Sequence, residues 1–500
     1  MTRKIFISFL IIAITHYFLG CIVYRDGKEF DVIKLEGKDT KIKVAVMPDG
    51  TSYSFKKKGA SVITKDERLI VSGIADTDSL VELKAEDVLY LIVEKEDLLM
   101  SFIGSIGLVS AVLAVAFLVA LAAKKSCPFI YSFDGEKYAF DAEPLGGAIS
   151  KVFERTDYSK LENLKEVDGL YKLKITNEVH ETEYIDEMSL ITVDHPKNTI
   201  AVMNNNGDIF ALNEGEKVSY AVDEKGNDLK PFLIEDDMIA WQTKMPFDNT
   251  TLKKHKINFG FKKKRGAQKG WLVYNVGTTH WGSTMISEML GLHGKSLEEH
   301  YMNLDKKGDY YNTTMNFLQR EELYEMNLYM KEINKWESKG ILQGGGPFKT
   351  EKRVIELDLS KTNDEFIEFE LNPPVGFWTL DNFSLCFDEP GTTNSTEVKV
   401  SKTVTHDGKD ISTIISKSDE TYHQMPTTGD WFTAEYDAPK TKPGMARSVF
   451  MKTKGWYKID MPASDKEPDF LTLFKLISKP GEIINFSNER YQKWILSAEK

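Results

Sequence analysis

The densest group of residues with chemical potential lies at the start of a predicted helix. Thr278, Thr279, His280, Trp281 and Ser283 follow the apolar run KGWLVYNVG. Hydroxyl groups and a histidine at a helix amino terminus could hold an anion or support nucleophilic hydrolysis, because free backbone N–H groups point outward there and histidine can act as a base. In the structural alternative, a threonine caps the helix, Trp281 fills a core gap and His280 is a partly exposed polar residue.

Tryptophans in predicted β regions form a second set of candidate ligand contacts. Trp378, Trp431 and Trp456 could stack on sugar rings if they are exposed. The alternative is that they fill the core of a β-sandwich, since tryptophan buries a large apolar area. Together with His280 and Trp281, Trp378 and Trp431 are the residues at which we expect ligand contacts.

Other enzyme signatures are incomplete in this sequence. His293-Gly294-Lys295-Ser296 contains GKS, but a phosphate-binding P-loop needs glycine at position 289, where methionine stands. His293 and His300 bracket two glutamates without forming H-E-x-x-H, and no G-x-S-x-G elbow is present. The sequence therefore assigns no catalytic residue, metal site or cofactor.

The amino terminus is typical of a secretion signal. Arg3 and Lys4 precede the apolar run IFISFLIIAI, and the segment closes with Phe18-Leu19-Gly20-Cys21. This layout resembles a bacterial lipoprotein signal, although Phe18 replaces the usual leucine. The resemblance implies that residues 1–20 are removed and that the thiol of Cys21 is lipidated. The alternative is an uncleaved signal anchor.

A second apolar segment carries no charge from Leu98 to Ala123. As a helix it would exceed a hydrocarbon core of roughly 30 Å, so it is predicted to span a membrane. Lys124 and Lys125 follow it, and the positive-inside rule would then place residues 124–500 in the cytoplasm. The alternative is a helix that dips into one leaflet and leaves these residues outside, so their side of the membrane stays open.

Composition favours a large globular protein with several cores. The chain has 500 residues, of which 41% are hydrophobic and 28% charged. The net charge of −12 argues against nucleic-acid binding, which needs clustered Lys and Arg. Three cysteines cannot form a disulfide scaffold in a chain of this length.

Alternating apolar and polar residues predict a mainly β fold. We expect a small β-barrel or sandwich in residues 21–97, a β domain in 124–265 and a jelly-roll-like β-sandwich in 266–500 with a short helix near 279–291. Around the turn Asp134-Gly135-Glu136-Lys137, the segment predicts a β-hairpin. Leu323–Ile333 fits helix or strand, and strand is favoured. FLTLFKLI near the carboxyl end is predicted as a strand.

Several segments resemble a known group of proteins. SCPFIYSFDGEKYAFDAEPLGGA, YIDEMSLITVDHP, GFWTLDNFSL, MARSVFMKTKGWYKIDM and PGEIINFSNERYQKW are similar to a group of uncharacterised bacterial lipoproteins, over roughly residues 124–500. Arg353–Asp388 also resembles part of a galactose-binding-like jelly roll, a fold that often binds glycans and is often only structural. No ligand residue is carried over from either resemblance.

These observations predict a membrane-anchored bacterial envelope lipoprotein that acts as a non-enzymatic scaffold or binding protein. Its expected partners are the lipid bilayer and a glycan or an envelope protein. A glycan- or peptide-binding β-sandwich module is the first alternative. A hydrolase that uses His280 is the second, and it requires a carboxylate within reach of that histidine.

Overall fold

A computed structural model describes residues 22–25, 28–31, 42–47, 52–65, 68–75, 79–84, 88, 90–93, 128–237, 239–245, 253–333, 335–362, 365–461 and 465–498. Strands hold 46% and helices 19% of the described structure, which confirms the mainly β prediction. Among these residues, none of the helices combines the length and apolar character needed to cross a bilayer. The signal segment 1–20, Cys21, Leu98–Ala123 and Cys127 lie outside the described residues.

The chain divides into two compact units, and the first contains residues 1–116 and 220–241. Strands β1 to β7 form one sheet in the order β2-β1-β7-β3-β4-β5-β6 around a core that includes Ile42, Phe55, Val62 and Val71. The elements of this unit are β1 (Ile22–Arg25), β2 (Lys28–Asp31), β3 (Ile42–Val46), β4 (Ser52–Lys65), β5 (Arg68–Ala75), β6 (Leu80–Lys84) and β7 (Tyr90–Val93), with β16 (Tyr220–Val222) and α1 (Lys230–Leu233).

The second unit contains residues 117–219 and 242–500. Its amino-terminal strands are β8 (Phe129–Phe133), β9 (Tyr138–Ala142), β10 (Arg155–Lys160), β11 (Leu170–Thr176), β12 (Glu181–Pro196), β13 (Ile200–Met203), β14 (Ile209–Leu212) and β15 (Glu216–Lys217). The following strands, of which the first begins at the boundary of the unit, are β17 (Trp241–Gln242), β18 (Ile257–Lys262), β19 (Lys269–Thr278), β20 (Met326–Glu332), β21 (Lys335–Leu342), β22 (Glu351–Asp358) and β23 (Phe366–Asn372). The carboxyl-terminal strands are β24 (Trp378–Cys386), β25 (Asn394–Lys399), β26 (Lys402–Thr405), β27 (His423–Met425), β28 (Trp431–Asp437) and β29 (Met445–Ile459).

Two sheets of this unit pack face to face as a sandwich. One has the order β26-β28-β11-β8-β9, and the other has the order β10-β29-β12-β25 with β27 beside β12. Their shared core joins Leu173 and Phe432 of the first sheet to Met188 and Met451 of the second. Alternate residues of β11 are buried, as expected for strands with one face on a core.

A second pair of sheets packs through aromatic side chains. One sheet runs β14-β13-β22-β19-β24-β15, and the other contains β18-β23-β20-β21. The Phe259 ring of the second sheet lies 5.1 Å from that of Phe383 in the first and 5.2 Å from that of Phe369. These rings are fully buried and interlock the two sheets.

Strands from both sides of residue 265 pair with each other. β12 is antiparallel to β29 from Glu181↔Ile459 to Pro196↔Met445, and β11 is antiparallel to β28. The boundary expected between residues 265 and 266 therefore runs through shared sheets. Sequence alternation identifies strands but does not reveal which distant strand completes each sheet.

The helices are more extensive than the single short one predicted. They are α2 (His280–Gly291), α3 (Leu297–Asp305), α4 (Asp309–Glu321), α5 (Ser412–Ile415), α6 (Phe470–Ser478) and α7 (Glu482–Ala498), with 3-10 turns at Lys151–Phe153 and Gly294–Ser296. The strand prediction for FLTLFKLI is wrong, because this segment is α6. Its apolar side chains fit an alternating pattern only in part, and they also recur at helical spacing.

Candidate functional site

The predicted helix start at His280 is built around a capping threonine. Thr279 Oγ1 accepts a hydrogen bond from Gly282 N at 3.0 Å and donates one to Gly376 O at 2.6 Å. Both hydrogen bonds of the Thr279 hydroxyl therefore hold the start of α2 against the segment that leads into β24. His280 is half-buried, and its ring meets the Phe348 ring edge-on at 4.7 Å. This arrangement agrees with the structural interpretation of Thr279.

Two of the tryptophans expected to contact ligand are enclosed. Trp281 is 2% and Trp378 5% exposed, so neither presents a ring face to solvent. Trp281 Nε1 donates to Ser487 Oγ at 3.1 Å, and its ring packs on Tyr491 of α7 at 5.3 Å. These two rings therefore fill the core, so the expected ligand contact at Trp281 and Trp378 is corrected in favour of the structural alternative.

Trp431 and Trp456 are partly exposed, and each already has an aromatic or cationic neighbour. Lys174 Nζ lies 4.6 Å from the centre of the Trp431 ring. Trp456 stacks on Tyr184 with ring centres 3.8 Å apart and planes within 5°. One face of each indole ring is therefore in contact with the protein, which leaves a smaller area for a ligand.

A different surface combines exposed aromatic and polar side chains, namely the outer face of the sheet β18-β23-β20-β21. Met326, Leu328 and Met330 of β20 are buried, so the alternate residues of that strand point away from the core. Strand register aligns these outward residues with those of the neighbouring strands. We call this surface the polar sheet face; it comprises Asn258, Asn327, Tyr329, Lys331, Trp336, Glu368, Glu370 and Asn372.

The register brings the two aromatic residues of the polar sheet face together. Tyr329 lies opposite Ser338, and Lys331 lies opposite Trp336, so Trp336 is the diagonal neighbour of Tyr329. Diagonal neighbours in an antiparallel pair are about 7–8 Å apart, within reach of aromatic side chains. Trp336 is 41% exposed and Tyr329 half-buried. Together they offer an apolar strip beside polar groups.

The charges on the polar sheet face are paired. Lys331 Nζ lies 2.5 Å from Glu368 Oε2, and Lys256 Nζ lies 2.6 Å from Glu370 Oε2. Asn327 Nδ2 donates to Glu322 Oε2 at 3.1 Å on the same side of the sheet. Because each carboxylate is neutralised by a nearby ammonium, the face suits a neutral ligand with many hydroxyl groups better than an ion.

The edge of this sheet is protected against strand addition. β21 ends the sheet among the described strands, and its register with β20 shifts between Leu328 and Tyr329. Gly340 lies at this irregularity with a φ of +113°, a conformation that glycine adopts without strain. Lys335 and Lys339 also charge the edge strand. Bulges and lysines of this kind discourage an extended peptide from pairing with an edge.

Two surface pockets in the described parts of the chain are small. A cavity of about 280 Å³ between α2 and α7 is lined by the Glu288–Arg490 pair and by Asp469, and another of about 190 Å³ lies beside Gly481. Pockets for small molecules usually enclose about 300–1,000 Å³. Over the same residues, no group of three or more His, Cys, Asp or Glu side chains is placed to hold a metal ion.

Two histidines that lack a recognisable motif form a packed pair. The His293 and His300 rings stack with centres 3.9 Å apart, and His300 Nδ1 lies 2.6 Å from the Tyr310 hydroxyl. Burial lowers the pKa of His293 to about 4, and burial and the neighbouring His293 lower the pKa of His300 to about 3. Both rings are therefore neutral at pH 7.

Comparison with known proteins does not assign a family. No protein-family model and no curated protein matches this sequence. One similarity among solved structures is to BpGH86A, a beta-porphyranase of glycoside hydrolase family 86 from the human gut bacterium Bacteroides plebeius, with 7% identity and a TM-score of 0.15. It covers 47% of this chain and only 37% of that chain. A score this low carries no argument about fold or activity.

Proposed function

We propose that this chain is a membrane-anchored bacterial envelope protein of the lipoprotein type, and that its β region is a non-enzymatic module that binds a neutral glycan. The polar sheet face carries the proposal, because it sets Trp336 and Tyr329 beside amides and paired charges. An aromatic ring covers the apolar face of a sugar, while neighbouring amides and carboxylates exchange hydrogen bonds with its hydroxyls.

Membrane attachment rests on two features of the sequence. The signal-like segment ends at Cys21, and the uncharged segment Leu98–Ala123 is long enough to span a bilayer. The resemblance to uncharacterised bacterial lipoproteins and to a galactose-binding-like jelly roll agrees with both parts of the proposal. A peptide ligand added along β21 is less favoured, because the bulge and the lysines of that strand protect the edge.

Glycan binding is tested with the full chain and a panel of neutral and charged envelope polysaccharides, by affinity electrophoresis followed by calorimetry. Removing a stacking aromatic side chain costs on the order of 1–2 kcal/mol, so Trp336→Ala should weaken binding by roughly fivefold to thirtyfold. Tyr138→Ala is the matched control, since Tyr138 is also exposed (39%) but lies on β9. If wild type and Trp336→Ala bind a glycan equally, the polar sheet face is not its binding site. If the chain binds none of the polysaccharides, the proposal of a glycan ligand is refuted.

Anchoring is tested separately. Mass spectrometry of the amino-terminal peptide should find acyl chains on Cys21, and Cys21→Ser should abolish them. If Leu98–Ala123 also spans the bilayer, the Cys21→Ser chain should remain in the membrane fraction after alkaline extraction. Recovery of the unmodified wild-type chain in the soluble fraction would refute the anchoring part of the proposal.

A further inference from the structure

Helix α6 presents an unusually apolar surface to solvent. Phe470, Leu471, Phe474 and Ile477 are 70%, 67%, 68% and 41% exposed. Phe470, Phe474 and Ile477 are spaced at i, i+4 and i+7, and Leu471 adjoins them, so the four form one face of the helix. Exposed contiguous apolar surface on a folded protein commonly marks an interaction site. We call these four residues the apolar face of α6.

This face is exposed although the helix is firmly held. Asp469 caps the amino end by accepting hydrogen bonds from Thr472 N at 3.0 Å and Thr472 Oγ1 at 2.8 Å. At the carboxyl end, Arg320 of α4 donates to Ile477 O at 2.6 Å and Leu476 O at 2.9 Å. Leu476, on the opposite side, is 4% exposed. The fold thus fixes the helix and leaves its apolar face outward.

The size of the face argues against a second copy of the chain as its occupant. A whole aromatic side chain covers about 150–250 Å², so these four partly exposed side chains present on the order of 400–500 Å². A stable interface between two proteins buries about 800 Å² on each partner. Binding to a lipid surface needs no such minimum area, because each apolar side chain that enters the acyl region adds its own contribution to the binding free energy.

The charges around α6 also fit a bilayer surface of low charge. Lys479 Nζ lies 2.8 Å from Glu482 Oε2, and Lys295 pairs with Glu467. Lys475 is exposed and lies four residues after Leu471, so it borders the apolar face of the helix. A lysine at the border of an apolar face can extend its ammonium toward headgroups while its stem remains in the apolar layer.

We propose that α6 lies flat on a lipid bilayer and inserts Phe470, Leu471, Phe474 and Ile477 below the headgroups. The inference rests on the proposed membrane attachment and adds a second contact, formed by the folded β region. Since the nearby charges are largely paired, insertion depends on apolar burial and does not require anionic lipid.

The test uses the full chain reconstituted into phosphatidylcholine vesicles, with the photocrosslinker benzoylphenylalanine replacing Phe474. Irradiation should yield a phosphatidylcholine adduct detectable by mass spectrometry. The same crosslinker at Tyr138, an exposed aromatic position outside α6, is the control and should give little adduct. Burial of one large apolar side chain changes an equilibrium constant about tenfold or more, so adding Phe470→Gln and Leu471→Gln should reduce the adduct at position 474 at least about tenfold.

The remaining outcomes overturn the inference. A covalent dimer through position 474 would assign the face to a second copy, and absence of any adduct would show that it stays in water. Flotation of the vesicles measures anchoring separately. If the chain floats but gives no adduct at position 474, only the proposed contact of α6 is refuted. If the chain does not float, the proposed membrane attachment is refuted as well. Unchanged thermal unfolding of the Gln variants would verify that they fold, since the replaced side chains are exposed.

Discussion

Asp186 is the residue at which a single isosteric change should release a defined loop. The register of β12 against β29 shifts between Ile185 and Glu187, so Asp186 is the extra residue of a bulge. Its side chain is fully buried. Oδ1 accepts hydrogen bonds from the backbone N of Asp419 at 3.1 Å and of Glu420 at 2.8 Å. The bulge thus aims a carboxylate at the loop that follows α5.

Asp186→Asn keeps the shape and one oxygen but places an amide NH₂ where Oδ2 now lies. Oδ2 accepts from Ser418 Oγ at 2.9 Å and from Lys454 Nζ at 2.8 Å. A hydrogen bond to a charged group contributes about 1.5–3 kcal/mol, and Lys454 would keep only the more distant Glu154, 3.8 Å away, as a counter-charge in a partly buried position. We expect a cost of about 3 kcal/mol, which corresponds to roughly a hundredfold increase in local opening.

The effect should depend on pH in a defined direction. Burial alone would raise the pKa of Asp186, but hydrogen bonds from Lys454, Ser418 and Asp419 outweigh it and hold the pKa below its ordinary value of 3.8. A carboxyl whose pKa is lower in the folded state stabilises that state above the unfolded pKa and loses this contribution as pH falls through the folded pKa. The difference between wild type and Asp186→Asn should therefore shrink below about pH 4.

Hydrogen exchange with mass spectrometry measures this opening in peptides that cover residues 416–425, after correction for the intrinsic rate at each pH. The matched control is Asp358→Asn. Asp358 lies on a different sheet from Asp186, and its exposed carboxylate accepts a hydrogen bond from Ser360 N. It should leave exchange in residues 416–425 unchanged. An increase of less than about threefold for Asp186→Asn at pH 7, or an effect of equal size at pH 3, would refute the reasoning.

Three further predictions concern two substitutions and one labelling experiment. Asp194→Asn should cost about 3–5 kcal/mol in urea unfolding, because Asp194 forms a bidentate pair of 2.7 and 3.0 Å with Arg447 and both side chains are nearly buried; a loss below about 1 kcal/mol would contradict this. Cys386 is buried and burial raises its pKa to about 12, so a thiol reagent at pH 8 should label it only on unfolding, and rapid labelling of the native chain would be the contrary result. Gly346→Ala should lower the Tm, since its Cβ would collide with the Glu143 carboxylate that receives the backbone N–H groups of the adjoining loop; an unchanged Tm would show that the loop yields freely.

Local signals in the sequence predict several elements correctly. The hairpin of β8 and β9 forms around the predicted turn, where Gly135 has a φ of +101°. Thr279 caps α2, and that helix ends at Gly291 within the predicted range. The ambiguous stretch Leu323–Ile333 contains β20, as favoured. In each case, the decisive interactions lie within a few residues, so the sequence contains the necessary information.

Exposure of individual aromatic residues could not be predicted in the same way. Trp378 is buried and Trp336 is exposed, although both lie near the start of a strand. Which face of a strand meets the core depends on the sheet packed against it, and that sheet is assembled from distant segments. The polar sheet face was missed for this reason, since Tyr329 lies within the ambiguous stretch, its partner Glu370 comes from another strand, and Asn258, the partner of Glu370, comes from a third.

The incorrect strand in FLTLFKLI has a different physical origin. Apolar residues usually face the protein core, and on α6 this holds for Leu476 but not for Phe470 and Phe474. Leu473 and Leu476 add apolar residues outside the exposed face, so the segment also fits the pattern of a strand although a helical stripe is present. If the exposed face meets lipid, as proposed, the pattern follows from two apolar environments acting on one short helix. The prediction error and the proposed membrane contact then have the same cause.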